Sequence, residues 1–204
     1  MGKRKQLHPV VVKEPPVKDS TLVNLGSRMG KRVRQQFLGS LTPCSLQGFP
    51  YGSGDFHLTK AWKVSGTTKA RGSRLFHGTP HTNIGSIVMG GFNLPSHPGM
   101  FGVAVYLAPD VWKSLNYTGK NRPEGPGKNA FVLVCTVDLG RIYRASKALT
   151  TMNPTEAKSM GIDSVEGAAY RTQSWGGTLR GSEYAVYDPR RIVVTHVLQY
   201  ERQG

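Results

Sequence analysis

Five groups of residues in this chain have the types and order needed to hold a planar, charged ligand. His77-Gly78 ends one apolar run, and Tyr106 sits inside another, after the turn-forming string Gly99-Met100-Phe101-Gly102. Lys113-Ser114-Leu115-Asn116-Tyr117 follows closely, and far downstream Glu183 heads Tyr184-Ala185-Val186-Tyr187. A glycine next to a histidine lets the backbone come close to a ligand, because no side chain stands in the way. Ser114 and Tyr117 are three residues apart, so a helix would present a hydroxyl and an aromatic face on one side. Such a face attracts a planar cation. Glu183 is one of nine acids after residue 76, and a carboxylate at the head of an apolar strand is costly to bury without a partner. Together these groups could pin a polar group, stack a ring and set one negative charge near developing positive charge. Singly, each has a plainer reading: a strand-end histidine, a core tyrosine, an exposed carboxylate. Order and spacing across residues 75–200 are what join them.

Such residues need a scaffold, and the pattern supplies one. Phe56–Val64 alternates apolar and polar residues and predicts a half-buried strand, so the compact domain is expected to start near Asp55. Leu75-Phe76 ends a short strand with His77-Gly78 at its exit. A helix follows, with Thr82 or Asn83 as cap, Ile84, Ile87 and Val88 on one face, and Gly90-Gly91 as its stop. Asn93–Gly102 reads as a loop, Val103–Leu107 as a strand, and Asp110–Tyr117 as a short helix capped by Asp110. The almost unbroken apolar run Ala130–Val137 fits the middle of a sheet. Asn153-Pro154-Thr155-Glu156 is a capping-box arrangement for a brief helix. Tyr184–Tyr187 and Ile192–Tyr200 read as strands joined by the turn Asp188-Pro189-Arg190-Arg191. Many short strands, few helices and no βαβ alternation predict an α+β fold with a largely antiparallel sheet.

The remaining sequence reads as a basic appendage. Residues 1–54 form a Pro/Gly-rich arm and residues 55–204 the domain; residues 1–20 read as disordered or loosely attached. Leu22–Phe37 predicts one short basic helix with Met29, Val33 and Phe37 on a face, weakened by Gly26 and Gly30. Residues 39–54 read as loop. Residues 1–76 hold 14 Lys/Arg against 3 Asp/Glu, whereas residues 77–204 hold 13 against 9, so the positive excess lies mainly outside the chemistry-bearing segment. Such an arm suits a polyanion, and RNA or DNA contact through residues 1–37 is expected. Lys3-Arg4-Lys5 and Lys31-Arg32-Val33-Arg34 fit a nuclear protein slightly better than a cytoplasmic one. Cys44 and Cys135 have no His/Cys cluster around them, which argues against a zinc site or disulfide framework, and no metal is expected. No apolar run approaches the ~18–20 residues that span a bilayer, so no membrane contact is expected.

The motifs resemble the catalytic domain of the poly(ADP-ribose) polymerase family, the diphtheria-toxin-like ADP-ribosyltransferases. The likeness covers residues 75–200, and Gly99-Met100-Phe101-Gly102 follows the family wording closely. The next residues read Val103-Ala104-Val105-Tyr106, where the family has Lys-Gly-Ile-Tyr, so Ala104 adds a methyl at the turn into the strand. The resemblance implies two packed, mainly antiparallel sheets, a split β-sandwich with an NAD+ cleft between them. It implies an NAD+-dependent ADP-ribosyltransferase, mono- or poly-, that moves ADP-ribose onto a protein or nucleic-acid acceptor and releases nicotinamide. The implied catalytic triad is His77, Tyr106 and Glu183. His77 would bond the adenosine ribose, and Gly78 the nicotinamide carboxamide through its backbone. Ser114 would bond the same amide, Tyr117 would stack on the ring, and Thr79 and Asn83 would complete the NAD+ contacts. Glu183 would bond the 2′-hydroxyl of the nicotinamide ribose and steady the cationic transition state. The short segment Asn93–Pro98 implies an open cleft. Two other readings remain: a weakly active or inactive protein of this fold that serves as a basic nucleic-acid-binding component, and a tRNA 2′-phosphotransferase. The latter uses arginine at the strand where this chain has Glu183, which counts against it.

Overall fold

The computed structural model describes residues 20–26, 28–67, 71–118, 129–168 and 181–202. The readings of residues 1–19, Lys3-Arg4-Lys5 included, lie outside that set. Two short helices, α1 (Ser20–Leu25) and α2 (Lys31–Ser40), come first, followed by strands β1 (Leu41–Pro43), β2 (Gly52–Ser53), β3 (Phe56–Val64) and β4 (Ser73–Gly78). Then come helix α3 (His81–Gly90), strand β5 (Val105–Leu107), helix α4 (Val111–Leu115), and strands β6 (Asn129–Val137) and β7 (Ile142–Ala145). Helix α5 (Pro154–Ser159) and strands β8 (Ser164–Gly167), β9 (Glu183–Val186) and β10 (Ile192–Arg202) complete the order.

These strands make two sheets. The first runs β1-β3-β10-β6-β4, with β2 added against β3, and the second runs β5-β9-β8-β7. Every pair is antiparallel except β7 with β8. The apolar run of β6 lies between β10 and β4, as a strand covered on both faces must. The α+β expectation with two mainly antiparallel sheets holds. The parallel β7–β8 pair is not visible in the pattern, because both strands are four residues long and β7 leaves Ile142, Tyr143 and Arg144 exposed.

Three apolar clusters hold the layers. The largest joins Leu75, Leu133, Cys135 and Val137 of the first sheet to Val105, Leu107 and Val186 of the second, under Leu22, Leu25, Phe37 and Ile84 of the helices. The far face of the first sheet buries Val132, Val134, Leu198 and Tyr200 against Val111 and Leu115 of α4. The outer face of the second sheet buries Val165, Ala185 and Tyr187 against Phe101, Ala104 and Met152. At one place the two sheets touch through backbone: Phe76 and Ala108 exchange hydrogen bonds of 2.8 and 2.9 Å.

Several expectations are corrected by packing. The predicted helix over residues 22–37 is two helices, because Gly26 and Gly30 fall at the break between them. Val33 is 41% exposed while Phe37 is fully buried, so the two do not share a packed face. Leu22, Leu25, Phe37 and Leu41, which precede Asp55, pack into the main core. Gly85 explains how α1 reaches α3: a Cβ there would lie 2.5 Å from the Met29 sulfur and 3.0 Å from the Leu25 carbonyl oxygen. Helix α3 begins earlier than predicted, with Pro80 and not Thr82 or Asn83 at its cap position. Asp110 and Asn153 do cap α4 and α5 through their side chains, as read from the sequence.

If residues 20–41 belong to the body, Phe37→Ala should lower unfolding free energy by about 3–5 kcal/mol, whereas Val33→Ala should change it by less than about 0.5 kcal/mol. Urea midpoints of the two variants decide this, and equal midpoints would detach α2 from the core.

Candidate active site

The site forms where the end of β4 meets β5, β9 and α4. The Phe76–Ala108 bridge places His77, one residue later on β4, beside the backbone of β5. Its Nδ1 lies 2.8 Å from the Tyr106 carbonyl oxygen. A carbonyl only accepts, so Nδ1 carries the proton and Nε2 is left as an acceptor. Burial holds the imidazole below its ordinary pKa, against the smaller raising effect of that carbonyl. The ring is therefore neutral at pH 7, and it rests edge-on against Phe92 with centroids 4.8 Å apart.

Tyr106 faces the cleft from β5. It pairs with Ala185 across the strands, so Tyr106, Ala185 and, two residues earlier on β9, Glu183 lie on one face of the sheet. The Tyr106 hydroxyl accepts from the Phe101 N–H and donates to the Gly102 carbonyl, both at 2.8 Å. Burial raises its pKa well beyond the ordinary phenol value, with the Phe101 bond opposing and the Glu183 charge adding to the rise. Ala104, the departure from the family wording, is fully buried among Phe101, Met152 and Ala185, and no non-glycine residue among those described has a positive φ. The extra methyl is accommodated.

Helix α4 brings three more groups. Asp110 accepts the Trp112 N–H and so sets the first turn. Ser114 is buried in the cleft wall, and Tyr117, beyond the helix end, is 60% exposed and also lines the cleft. Burial raises the Tyr117 pKa, and the charge on Glu183 raises it further. Gly78 packs directly under this helix: a Cβ would stand 1.7 Å from the Ser114 carbonyl oxygen. The glycine is thus required first by the approach of α4 to β4, and not only by a ligand.

Lys113 is the residue sequence reasoning missed. Its ammonium lies 2.6 Å from Glu183 Oε2, and the two side chains are only 7% and 8% exposed. The same nitrogen donates to the Gly181 carbonyl at 2.9 Å. A long cationic side chain is therefore drawn inward to meet the acid at the head of β9. A signal existed: Lys113 is the only Lys or Arg between Arg74 and Lys120, and Glu183 needed a partner.

All eight residues read from the sequence line one cleft of about 1240 Å³: His77, Gly78, Thr79, Asn83, Tyr106, Ser114, Tyr117 and Glu183. Thr79 and Asn83 are tied to each other, with the Asn83 amide donating to the Thr79 hydroxyl at 3.2 Å. Met100 of the Gly99–Gly102 string also lines the cleft, as do Phe92 and Trp112, which no sequence feature singled out. The arrangement can do specific things. It offers a neutral imidazole acceptor, an open aromatic face and a fixed carboxylate within one cavity large enough for a dinucleotide.

Residues 56–202 match the family described as poly(ADP-ribose) polymerase catalytic domain. Protein mono-ADP-ribosyltransferase PARP4 of Mus musculus is 25% identical over 143 residues, covering 64% of this chain. The match spans only 7% of that relative's length.

Breaking a buried ion pair on one side leaves the other charge stranded. Lys113→Met and Glu183→Gln should each cost about 3–5 kcal/mol, and the double variant should cost less than their sum by at least about 1 kcal/mol. Denaturant unfolding of the four proteins measures that coupling, and simple additivity would mean the pair is not formed in solution.

Proposed function

Because the chain belongs to the poly(ADP-ribose) polymerase catalytic domain family, we propose that it binds NAD+ in this cleft and transfers ADP-ribose to a macromolecular acceptor. The observation that carries the reading is the buried Glu183 carboxylate, held by Lys113 in the same cavity as neutral His77 and the exposed ring of Tyr117. In the proposed reaction the bond between the ribose carbon and the nicotinamide nitrogen breaks, and its electron pair leaves on nitrogen. Positive charge grows on the ribose as this happens. A nucleophile of the acceptor then bonds to that carbon and gives up its proton.

Each residue has a matching task. His77, with Nε2 free to accept, takes a hydroxyl proton donor from the adenosine ribose. Gly78 and Ser114 hold the carboxamide, and Tyr117 stacks on the pyridinium, a cation that suits an aromatic face. Tyr106 walls the ring from the side of β5, and Thr79 and Asn83 border the adenosine half. Glu183 bonds the nicotinamide-ribose hydroxyl and sets fixed negative charge beside the developing cation, where a preorganised group acts without rearranging. It can also orient the acceptor.

We infer single-unit transfer, in line with the name of the mouse relative. Exposed Arg28, Lys31 and Arg32 support a polyanion contact beside this chemistry. Deleting the arm is a poor probe of that contact, because it removes Leu22, Leu25 and Phe37 from the core; charge reversal at the exposed positions is the clean one.

With labelled NAD+, Glu183→Gln should reduce transfer by at least about a hundredfold while NAD+ affinity stays within about threefold, since the role of the acid grows in the transition state. Transfer at the wild-type rate would remove Glu183 from the mechanism. For Tyr117→Ala the balance reverses: calorimetry should show NAD+ binding weakened by about tenfold, and unchanged affinity would end the stacking assignment.

A further inference from the structure

The Gly99–Gly102 turn sends Gly99 and Met100 into the cleft wall, while Phe101 is fully buried behind it. A buried peptide group must find partners for both its N–H and its C=O. Two tyrosine hydroxyls bond the Phe101 peptide groups. Tyr106 of β5 accepts from the N–H at 2.8 Å, and Tyr187, the residue after β9, donates to the C=O at 2.7 Å. Tyr106 then gives its own proton to the Gly102 carbonyl. Burial is the first cause that pushes both phenols upward, so both hydroxyls keep their protons.

Other contacts leave the turn little room. Gly99 and Gly102 exchange backbone bonds of 2.9 and 3.1 Å, and Leu149 N–H bonds the Met100 carbonyl at 2.8 Å. A Cβ on Gly102 would stand 1.8 Å from the Met152 carbonyl oxygen, and one on Gly99 would meet the Tyr106 ring at 2.7 Å. The Phe101 carbonyl is thus enclosed on the outer face of the second sheet, among Ala104, Met152, Ala185 and Tyr187. Removing the Tyr187 hydroxyl takes a 2.7 Å donor away from that buried carbonyl. The turn could relieve this by shifting, and it would carry Gly99, Met100 and the Tyr106 hydroxyl with it.

We propose that Tyr187 is a positioning residue for the donor site: its hydroxyl fixes Phe101, and through Phe101 it fixes Tyr106 and the Gly99–Met100 wall in the shape that admits a dinucleotide. Tyr187 does not line the cleft itself. The inference rests on the NAD+ reading of that cleft.

The test compares Tyr187→Phe with Tyr200→Phe in the full chain. Tyr200 is a matched control, since its buried hydroxyl donates to the Pro50 carbonyl at 2.8 Å on the far face of the first sheet, outside the cleft lining. Both variants should lose thermal stability to a similar extent. Only Tyr187→Phe should speed amide exchange at Phe101 and Gly102, by about tenfold or more, and weaken NAD+ binding by about threefold to tenfold. Unchanged exchange at those amides in Tyr187→Phe would overturn the clamp. Faster exchange with unaltered NAD+ affinity, or equal weakening in Tyr200→Phe, would overturn its role at the donor site. Wild-type protein that fails to bind NAD+ would overturn the dinucleotide reading itself, and the exchange comparison would still decide the clamp.

Discussion

The ion pair between Lys113 and Glu183 is the contact on which the arrangement of this cleft turns. It links the short helix α4 to the first residue of β9, two segments 70 positions apart in the chain. Neither group is cheap to bury, and a buried pair adds less stability than its Coulomb attraction suggests, because both charges give up water. What it provides is geometry. The carboxylate cannot drift toward solvent without abandoning an ammonium 2.6 Å away, and that ammonium is itself anchored to the Gly181 carbonyl. A charge meant to act on a short-lived cation must already stand in place.

The rest of the fold brings other groups to that fixed point. The Phe76–Ala108 bridge lies next to His77 near the end of β4, and the Tyr106 carbonyl then sets the imidazole tautomer. Gly78 lets α4 sit almost on the backbone of β4, which brings Ser114 and Tyr117 to the same cavity. Beneath these lies a core that draws on both sheets and on α1, α2 and α3. The site is therefore rigid for reasons spread across the body: backbone bonds at one wall, a glycine contact at another, a salt bridge at the floor. Several of its lining residues also carry structural contacts, as Lys113 and Tyr106 do.

Much of this was legible in the residues, for physical reasons that differ by element. Strand β6 declares itself because a strand covered on both faces is apolar almost throughout. Asp110 and Asn153 announce helix starts because a side-chain oxygen there satisfies backbone N–H groups. The eight residues read from the sequence all line one cleft. What stayed hidden depends on tertiary contact. The separation of α1 from α2 follows from two glycines and from how Leu25 and Met29 meet Gly85 on α3, which no local pattern contains. The partner of Lys113 lies beyond any helical spacing. Gly78 reads in the sequence as a ligand contact, but its neighbour is the Ser114 carbonyl, a contact that appears only when α4 folds back. The parallel pairing of β7 with β8 leaves no periodic signal in strands so short and so exposed.

The central claim is that one preformed cavity takes the whole NAD+ molecule, with its cleavable bond beside the Lys113–Glu183 pair. A crystal structure of the full chain with a non-hydrolysable NAD+ analogue tests it most directly. The account predicts the nicotinamide ring against Tyr117, a ribose hydroxyl within hydrogen-bonding distance of Glu183, and an adenosine ribose at His77 Nε2, with Lys113 still bound to the acid. A dinucleotide found elsewhere on the protein, or one seated in the cleft with its nicotinamide ribose remote from Glu183, would contradict it.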